Sequence, residues 1–151
     1  MKLTSDAFSG DDAIPVRFTA RGGNFSPPLA WSQPPGGTKS LALVCIDPDA
    51  PQGTFTHWVI FNIPAEAREL KEGIPPKPML LDGTVQGNND LDEIGYTGPD
   101  PPPGKTHRYV FKLLALDTSL DLPPGAPHGE LRARTPGHIL AETDLAGTWG
   151  R

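Results

Sequence analysis

Proline and glycine occur in clusters along this chain, and their placement limits what the chain can fold into. The 151 residues include 19 prolines and 17 glycines, which group at PPGG (34–37), PPKP (75–78), GPDPPPG (98–104) and LPPGAP (122–127). Because proline lacks a backbone N–H and disrupts a helix interior, these clusters disfavour a bundle of long helices. Short apolar runs lie between the clusters, which is typical of a loop-rich β protein. The length predicts a single domain, residues 1–151, with one core.

Three apolar runs predict the main strands of a mainly β fold. Residues 40–46 and 59–63 are short and rich in apolar and β-branched residues, and residues 107–116 form a third run. The first run is apolar at both alternating sets of positions, so we expect it to be covered on both faces. In the third run, His107 and Tyr109 fall on the same face. The sequence therefore predicts a buried central sheet.

Weaker patterns predict the segments before the central sheet. Residues 2–8 and 14–19 are two short extended segments separated by turn-forming residues, which favours a β-hairpin or meander. Residues 24–31 contain two consecutive prolines, which exclude a helix and favour a strand at a sheet edge. We therefore expect the N-terminal part to be extended.

Two segments carry helix signals. Residues 65–73 have early acidic residues and end at a glycine, which predicts one or two helical turns. Thr135 as N-cap and Pro136 at the first helical position, followed by Ile139, Leu140 and Ala146 at helical spacing, predict a C-terminal helix. These would be short peripheral helices beside the sheets.

Charge and cysteine content exclude several classes of protein. The net charge is −5 and no cluster of lysine or arginine occurs, so nothing favours binding to nucleic acid or to an anionic membrane surface. Cys45 is the only cysteine, so no internal disulfide can form, and its apolar neighbours predict a buried residue. The N-terminus lacks the apolar core of a secretory signal and no later window resembles a membrane span, which predicts a cytoplasmic protein.

The polar stretch DPDAPQGTFTHW (47–58) joins the first two strands and is our candidate site. If those strands pair antiparallel, Asp47 and His57 emerge at the same edge of the sheet. Pro48 and Pro51 each fix a φ angle, so this joint is expected to be stiff. His107 begins the third strand after a proline-rich loop, so one acid and two imidazoles can share a rim.

This set of residues predicts a small anion pocket. A carboxylate beside an imidazole raises the pKa of the imidazole, and a protonated histidine attracts anions. Backbone N–H groups around Gly98 could add donors, because glycine permits close approach of the main chain. We therefore expect a pocket for a phosphate-sized group, although Asp47, His57 and His107 could also form a facial metal triad.

Other candidate motifs do not support a function. GKT (104–106) resembles part of a phosphate-binding loop, but the prolines before it remove the N–H groups that would cradle phosphate. No serine has the setting of a hydrolase nucleophile. His128 and His138 stand alone in the sequence and are read as ordinary surface or helix residues, and Asp49 as a residue that caps its own turn.

Several longer motifs spread over nearly the whole chain. They are NFSPPLAW (24–31), DPDAP (47–51) with HW (57–58), GNNDLDEIGYTGP (87–99), PPPGKTHRY (101–109) and TPGHILAETDLAG (135–147). Taken together, these motifs resemble the phosphatidylethanolamine-binding protein family, which includes Raf kinase inhibitor proteins, and in particular its short bacterial and archaeal YbhB/YbcL-like branch.

The resemblance implies a fold and a site. The fold would be a central antiparallel sheet packed on a second, smaller antiparallel sheet, with a few short helices. The family's cis peptide would fall at Ala50–Pro51, and Asp100, a carboxylate near the rim, would repel an anion. The ligand-binding pocket would comprise Asp47, Pro51, His57, Gly98, His107 and Tyr109.

Three functions remain open at this point. The leading hypothesis is a non-enzymatic binding protein, without cofactor or metal, for a phospholipid head group, a phosphorylated small molecule or a phosphorylated protein segment. The second is a metal-dependent or acid/base phosphoester hydrolase that uses His57, His107 and Asp47. The third is a protease or kinase inhibitor that acts through its surface, independently of the pocket. The resemblance also leaves a homodimer open, because relatives in this branch often form one.

Overall fold

The computed structural model describes all 151 residues. Two antiparallel sheets form the molecule, with one α-helix and a 3-10 turn at Val16–Phe18. The elements are β1 (Leu3–Thr4), β2 (Leu29–Trp31), β3 (Ser40–Asp47), β4 (Phe55–Pro64), β5 (Glu69–Leu70), β6 (Val85–Gln86), β7 (Thr106–Leu116), α1 (His128–Arg134) and β8 (Ile139–Gly150).

The larger sheet has five strands in the order β6-β4-β3-β7-β8. The strand β3 lies at its centre and pairs with β4 on one side and β7 on the other, for example Asp47 with Phe55 and Cys45 with Phe111. These three strands contain the runs predicted at 40–46, 59–63 and 107–116, which are confirmed. The smaller sheet has the order β1-β2-β5. The predicted fold class, a central antiparallel sheet and a smaller one, is therefore confirmed.

Both faces of the central strand are covered, as its sequence predicts. Leu41, Leu43 and Cys45 belong to the core between the two sheets, which also holds Leu29 and Trp31 of the small sheet. The opposite face packs in a second core under the segment that leads into α1; this core includes Ala42, Val44, Leu120, Leu122 and Leu131. The single core expected from the chain length is therefore wrong, because the large sheet separates two cores. The large sheet is thus fixed from both sides, which makes it a rigid support for residues at its edge.

The predicted N-terminal hairpin is wrong. The strand β1 pairs with β2 instead of with residues 14–19, part of which forms the 3-10 turn. The strand β2 is also not an edge strand, because it lies between β1 and β5. Short extended segments carry no local signal for their partner, so only the packed structure selects the pairing.

The predicted C-terminal helix is wrong as well. Thr135 lies at the end of α1 instead of at the start of a helix, and β8 follows as an edge strand paired along β7 from Thr106 to Leu116. In this strand Ile139 and Leu140 are each 41 % exposed instead of facing a core. Pairing with the long β7 edge outweighs the helical spacing, since propensity is weak against tertiary context.

Two smaller expectations also fail. Residues 65–73 contain a turn and β5 instead of helical turns, and Leu70 of β5 is buried in the core between the sheets. The Ala50–Pro51 bond is trans, as are all other peptide bonds in the chain. The stiffness of the corner therefore depends on its prolines and hydrogen bonds.

Candidate functional site

The loop that joins β3 to β4 is held in place by its own acidic residues. The carboxylate of Asp47 accepts a hydrogen bond from the backbone N–H of Asp49 at 2.8 Å. The carboxylate of Asp49 accepts in turn from the N–H of Arg108 at the start of β7, at 2.9 Å. Asp47 therefore caps this turn in place of Asp49, the residue that the sequence had suggested, and Asp49 ties the loop to β7.

Asp47 also orients the first imidazole. The Nδ1 atom of His107 lies 2.7 Å from Oδ2 of Asp47, and the two residues are 8 % and 4 % exposed. A carboxylate only accepts here, so Nδ1 carries a hydrogen and Nε2 is the ring atom left for other contacts. The predicted convergence of Asp47 and His107 is confirmed.

The second imidazole has a different partner. The Nδ1 atom of His57 lies 2.7 Å from the carbonyl oxygen of Thr97, and the N–H of Thr97 donates to the carbonyl of His57 at 2.9 Å. Burial lowers the pKa of His57 and outweighs the opposite effects of the Thr97 carbonyl and of Asp47. Asp47 does raise the pKa of His57 as expected, but burial outweighs it, so the expectation of a protonated His57 near neutral pH is wrong.

Gly98 has a role that differs from the expected one. Its N–H donates to Oδ1 of Asn24 at 2.6 Å, so this group is not free to bind a ligand. The residue is instead needed for close packing: a Cβ atom at this position would lie 2.4 Å from the carbonyl oxygen of Phe18 and 2.8 Å from the main chain of Thr19. Gly98 thus allows the segment around Phe18 to close one wall of the site.

These elements enclose a pocket of about 270 Å³. All six residues predicted for the ligand site line it, although their binding role stays a prediction. The sequence did not single out Phe55, whose ring lies 4.8 Å from that of His57, or the exposed Leu91. The position of Phe55 beside His57 at the start of β4 was a usable signal, whereas Leu91 lies in a loop without any. The predicted residues in the lining are Asp47, Pro51, His57, Gly98, His107 and Tyr109.

Three polar side-chain atoms in this pocket have no hydrogen-bond partner in the protein. They are Nε2 of His57, Nε2 of His107 and the hydroxyl oxygen of Tyr109, on residues that are at most 8 % exposed. The only fully enclosed side-chain polar atom without a partner is Nε1 of Trp149, so the three pocket atoms retain access to the pocket. Buried polar groups are normally paired, so these three groups are available to a molecule that enters the pocket.

Asp100 lies at the rim of the pocket, as expected. Its carboxylate pairs with the guanidinium groups of Arg21 at 3.2 Å and of Arg151 at 3.7 Å. Two cations therefore offset the negative charge that was expected to repel an anion.

The other histidines lie away from this pocket. His128 begins α1 and its Nδ1 lies 3.2 Å from the hydroxyl of Thr56, where burial lowers its pKa. It lines a separate, open groove of about 510 Å³ between α1 and the large sheet. His138 pairs with Asp117 at 2.7 Å on the surface.

No set of three or more His, Cys, Asp or Glu side chains is arranged to hold a metal ion. No helix is long and apolar enough to cross a membrane.

The lowered pKa of His57 predicts how stability depends on pH. Above about pH 6.5 the ring is neutral in both the folded and the unfolded chain, so His57 does not reduce the free energy of unfolding there. Below that pH the unfolded chain takes up the proton first, and stability falls by up to about 1.4 kcal/mol per pH unit. Denaturant unfolding at pH 7.5, 6.5 and 5.5 should show a smaller loss for His57→Gln than for the native chain. Equal losses would contradict a neutral buried His57.

The two packed antiparallel sheets and the histidine-lined pocket at one sheet edge define a small two-sheet β protein. The family model described as phosphatidylethanolamine-binding protein matches residues 4–150. The chain is 51 % identical over 151 residues to the UPF0098 protein of Methanothermobacter thermautotrophicus, covering 100 % of this chain and 99 % of that one.

Two solved structures share the whole fold. The Escherichia coli protein YbcL, described as a new member of the mammalian PEBP family, superimposes with a TM-score of 0.92 at 31 % identity, covering 99 % of this chain and 98 % of that one. A PEBP homologue from Chlamydia trachomatis gives a TM-score of 0.90 at 37 % identity, covering 99 % and 97 %. The chain therefore belongs to the phosphatidylethanolamine-binding protein family, as the sequence motifs indicate.

Proposed function

We propose that this protein is a non-enzymatic binding protein whose pocket takes the phosphate of a phospholipid head group, a phosphorylated small molecule or a phosphorylated protein segment. The observation that carries the proposal is a set of three polar atoms without a hydrogen-bond partner: Nε2 of His57, Nε2 of His107 and the hydroxyl oxygen of Tyr109. Burial raises the pKa of the Tyr109 phenol, so its hydroxyl stays protonated and is available as a donor. The oxygens of one phosphate group can contact all three of these atoms.

The walls of the pocket support a ligand with a substituent on its phosphate. Ala50, Pro51, Phe55, Leu91 and Pro102 contribute apolar surface around the polar floor. Ligand pockets commonly combine a mostly apolar lining with a few placed polar groups. The substituent would therefore pack against these side chains while the phosphate contacts the rings.

The proposal is tested by following the histidine side chains by NMR during titration with inorganic phosphate and with O-phosphoserine, at pH 6 and pH 7.5. We expect the ring resonances of His57 and His107 to move and those of His128 and His138 to stay. Tyr109→Phe should weaken binding of both ligands, because one donor is lost. If the rings of His57 and His107 do not respond to either ligand, the proposed site is wrong.

One contact favours a second candidate function. The pairing of His107 with Asp47 at 2.7 Å is the arrangement in which a carboxylate orients an imidazole for proton transfer. An acid/base phosphoester hydrolase could use it, with a water molecule as nucleophile. Steady release of p-nitrophenol from p-nitrophenyl phosphate, abolished in Asp47→Asn, would support this candidate over pure binding.

A protein partner, a kinase or a protease, would be regulated through the same pocket if its phosphorylated segment is the ligand. In that case His57→Ala should reduce partner binding. An inhibitor that acts through another surface would keep its affinity in the same variant.

A further inference from the structure

His57 presents a hydrogen-bond acceptor to the pocket. Its Nδ1 lies 2.7 Å from the carbonyl oxygen of Thr97, which can only accept, so Nδ1 carries the hydrogen of the ring. A neutral imidazole in this tautomer has its lone pair on Nε2. Because Nε2 has no partner in the protein and retains access to the pocket, a ligand that contacts it must offer a hydrogen.

The surroundings of His57 keep its ring neutral. The ring of Phe55 lies 4.8 Å from it in a tilted arrangement and that of Tyr109 lies 5.3 Å from it in a T-shaped one, so two aromatic side chains pack against the imidazole. No carboxylate lies within ion-pair distance, because Asp47 is paired with His107. Burial lowers the pKa of His57 most strongly and His107 lowers it further, whereas Asp47 and Asp90 act in the opposite direction. The titratable groups that face this ring or share its pocket are Asp47 on β3, Asp90 in the loop after β6, Asp100 in the loop before β7, and His107 and Tyr109 on β7.

The floor of the pocket therefore combines a donor and an acceptor. The Tyr109 hydroxyl can donate, and Nε2 of His57 accepts. A phosphate diester and a fully ionised monoester offer acceptors only. A monoester that carries one proton offers both an O–H group and anionic oxygens, and its second pKa lies near 6. The singly protonated monoester is therefore the form of phosphate that can pair with both the Tyr109 hydroxyl and Nε2 of His57.

We propose that His57 is a specificity-determining residue that makes this pocket select phosphate monoesters, bound with one proton, over phosphate diesters. The inference rests on the proposed anion site and narrows its ligands to phosphorylated small molecules or protein segments, because the phosphate of a phospholipid head group is a diester. Above about pH 6 a free monoester is mostly a dianion, so the complex forms with uptake of one proton from solution. That proton lies between a phosphate oxygen and Nε2 of His57, and no covalent bond to phosphorus changes.

Calorimetry on the native protein tests this directly. Methyl phosphate and dimethyl phosphate are titrated at pH 7.5 in two buffers of different ionisation enthalpy. For methyl phosphate we expect uptake of about one proton, and an affinity that falls by up to about tenfold per pH unit between pH 6.5 and 8.5. Dimethyl phosphate should bind at least about tenfold more weakly, since it leaves the acceptor on His57 unpaired.

Two variants localise the effect. In His57→Gln the linked proton uptake should disappear and the preference for methyl phosphate should drop. In His138→Gln, where the changed side chain lies beyond the other end of β7, both should remain as in the native protein. The comparison of ligands and buffers on the native protein decides the question even if His57→Gln does not fold.

The possible failures are distinguishable. Equal affinity for the two esters, or binding of methyl phosphate without proton uptake, would overturn the selectivity and leave the anion site standing. Failure of inorganic phosphate and both esters to bind would overturn the anion site and the selectivity together.

Discussion

Replacement of Asp47 by alanine is expected to lower the free energy of unfolding by about 3 kcal/mol and to abolish anion binding. Asp47 is buried, and its carboxylate accepts hydrogen bonds from the Nδ1–H of His107 and the N–H of Asp49. Without this carboxylate the Nδ1–H of His107 and the N–H of Asp49 both lose their acceptor, and each buried polar group left unpaired costs about 1–3 kcal/mol. Denaturant unfolding, and phosphate titration under native conditions, measure the two effects.

The chain offers a matched control for this variant. Asp117 holds Nδ1 of His138 at the same distance of 2.7 Å, but those side chains are 41 % and 47 % exposed. Water screens and replaces an exposed pair, so Asp117→Ala should cost less than about 1 kcal/mol and leave anion binding intact. Equal losses of stability in the two variants would contradict the role assigned to burial of the Asp47–His107 pair.

Gly98→Ala is expected to lower the free energy of unfolding by about 2 kcal/mol or more and to deform the pocket. The new methyl group would lie 2.4 Å from the carbonyl oxygen of Phe18, and 2.8 Å from the main chain of Thr19. These neighbours are backbone atoms held by their own hydrogen bonds, so they cannot move aside as a flexible side chain would. Thermal unfolding and phosphate titration check both effects.

Gly129→Ala is the control for added volume. Gly129 lies in α1, and a methyl group there would meet no atom within 4 Å. Alanine restricts the unfolded chain and favours a helix, so this variant should keep or raise stability by up to about 1 kcal/mol. If Gly98→Ala is as stable as Gly129→Ala, the close approach of the two chain segments does not constrain the fold.

The sequence predicted the strands that support the site better than the segments around them. β3, β4 and β7 have long apolar runs, and the residues of β3 alternate between two cores as expected. β8 was predicted as a helix because Ile139, Leu140 and Ala146 fit helical spacing. Its structure is decided by the free edge of β7, which a local pattern does not reveal.

The sequence predicted which residues line the candidate site, but it predicted their protonation states and hydrogen-bond partners only in part. The positions of Asp47, His57 and His107 at strand ends were sufficient to place them at one edge. The neutral state of His57 was not predictable, because it results from burial by distant segments, and its tautomer depends on Thr97, 40 residues further along the chain. The use of the Gly98 N–H by Asn24 depends likewise on a contact across 74 residues.

The amino-acid sequence by itself determined the β class, the central strands and the corner that brings an acid and two imidazoles to one sheet edge. Alternation and proline placement act over a few residues, so they can be read directly from the chain. The tertiary structure alone decided which strand covers the edge of β7 and which atoms of the pocket remain without partners. Those properties depend on burial and on hydrogen bonds between distant segments, such as that between Asp47 and His107, which exist only once the two sheets have packed.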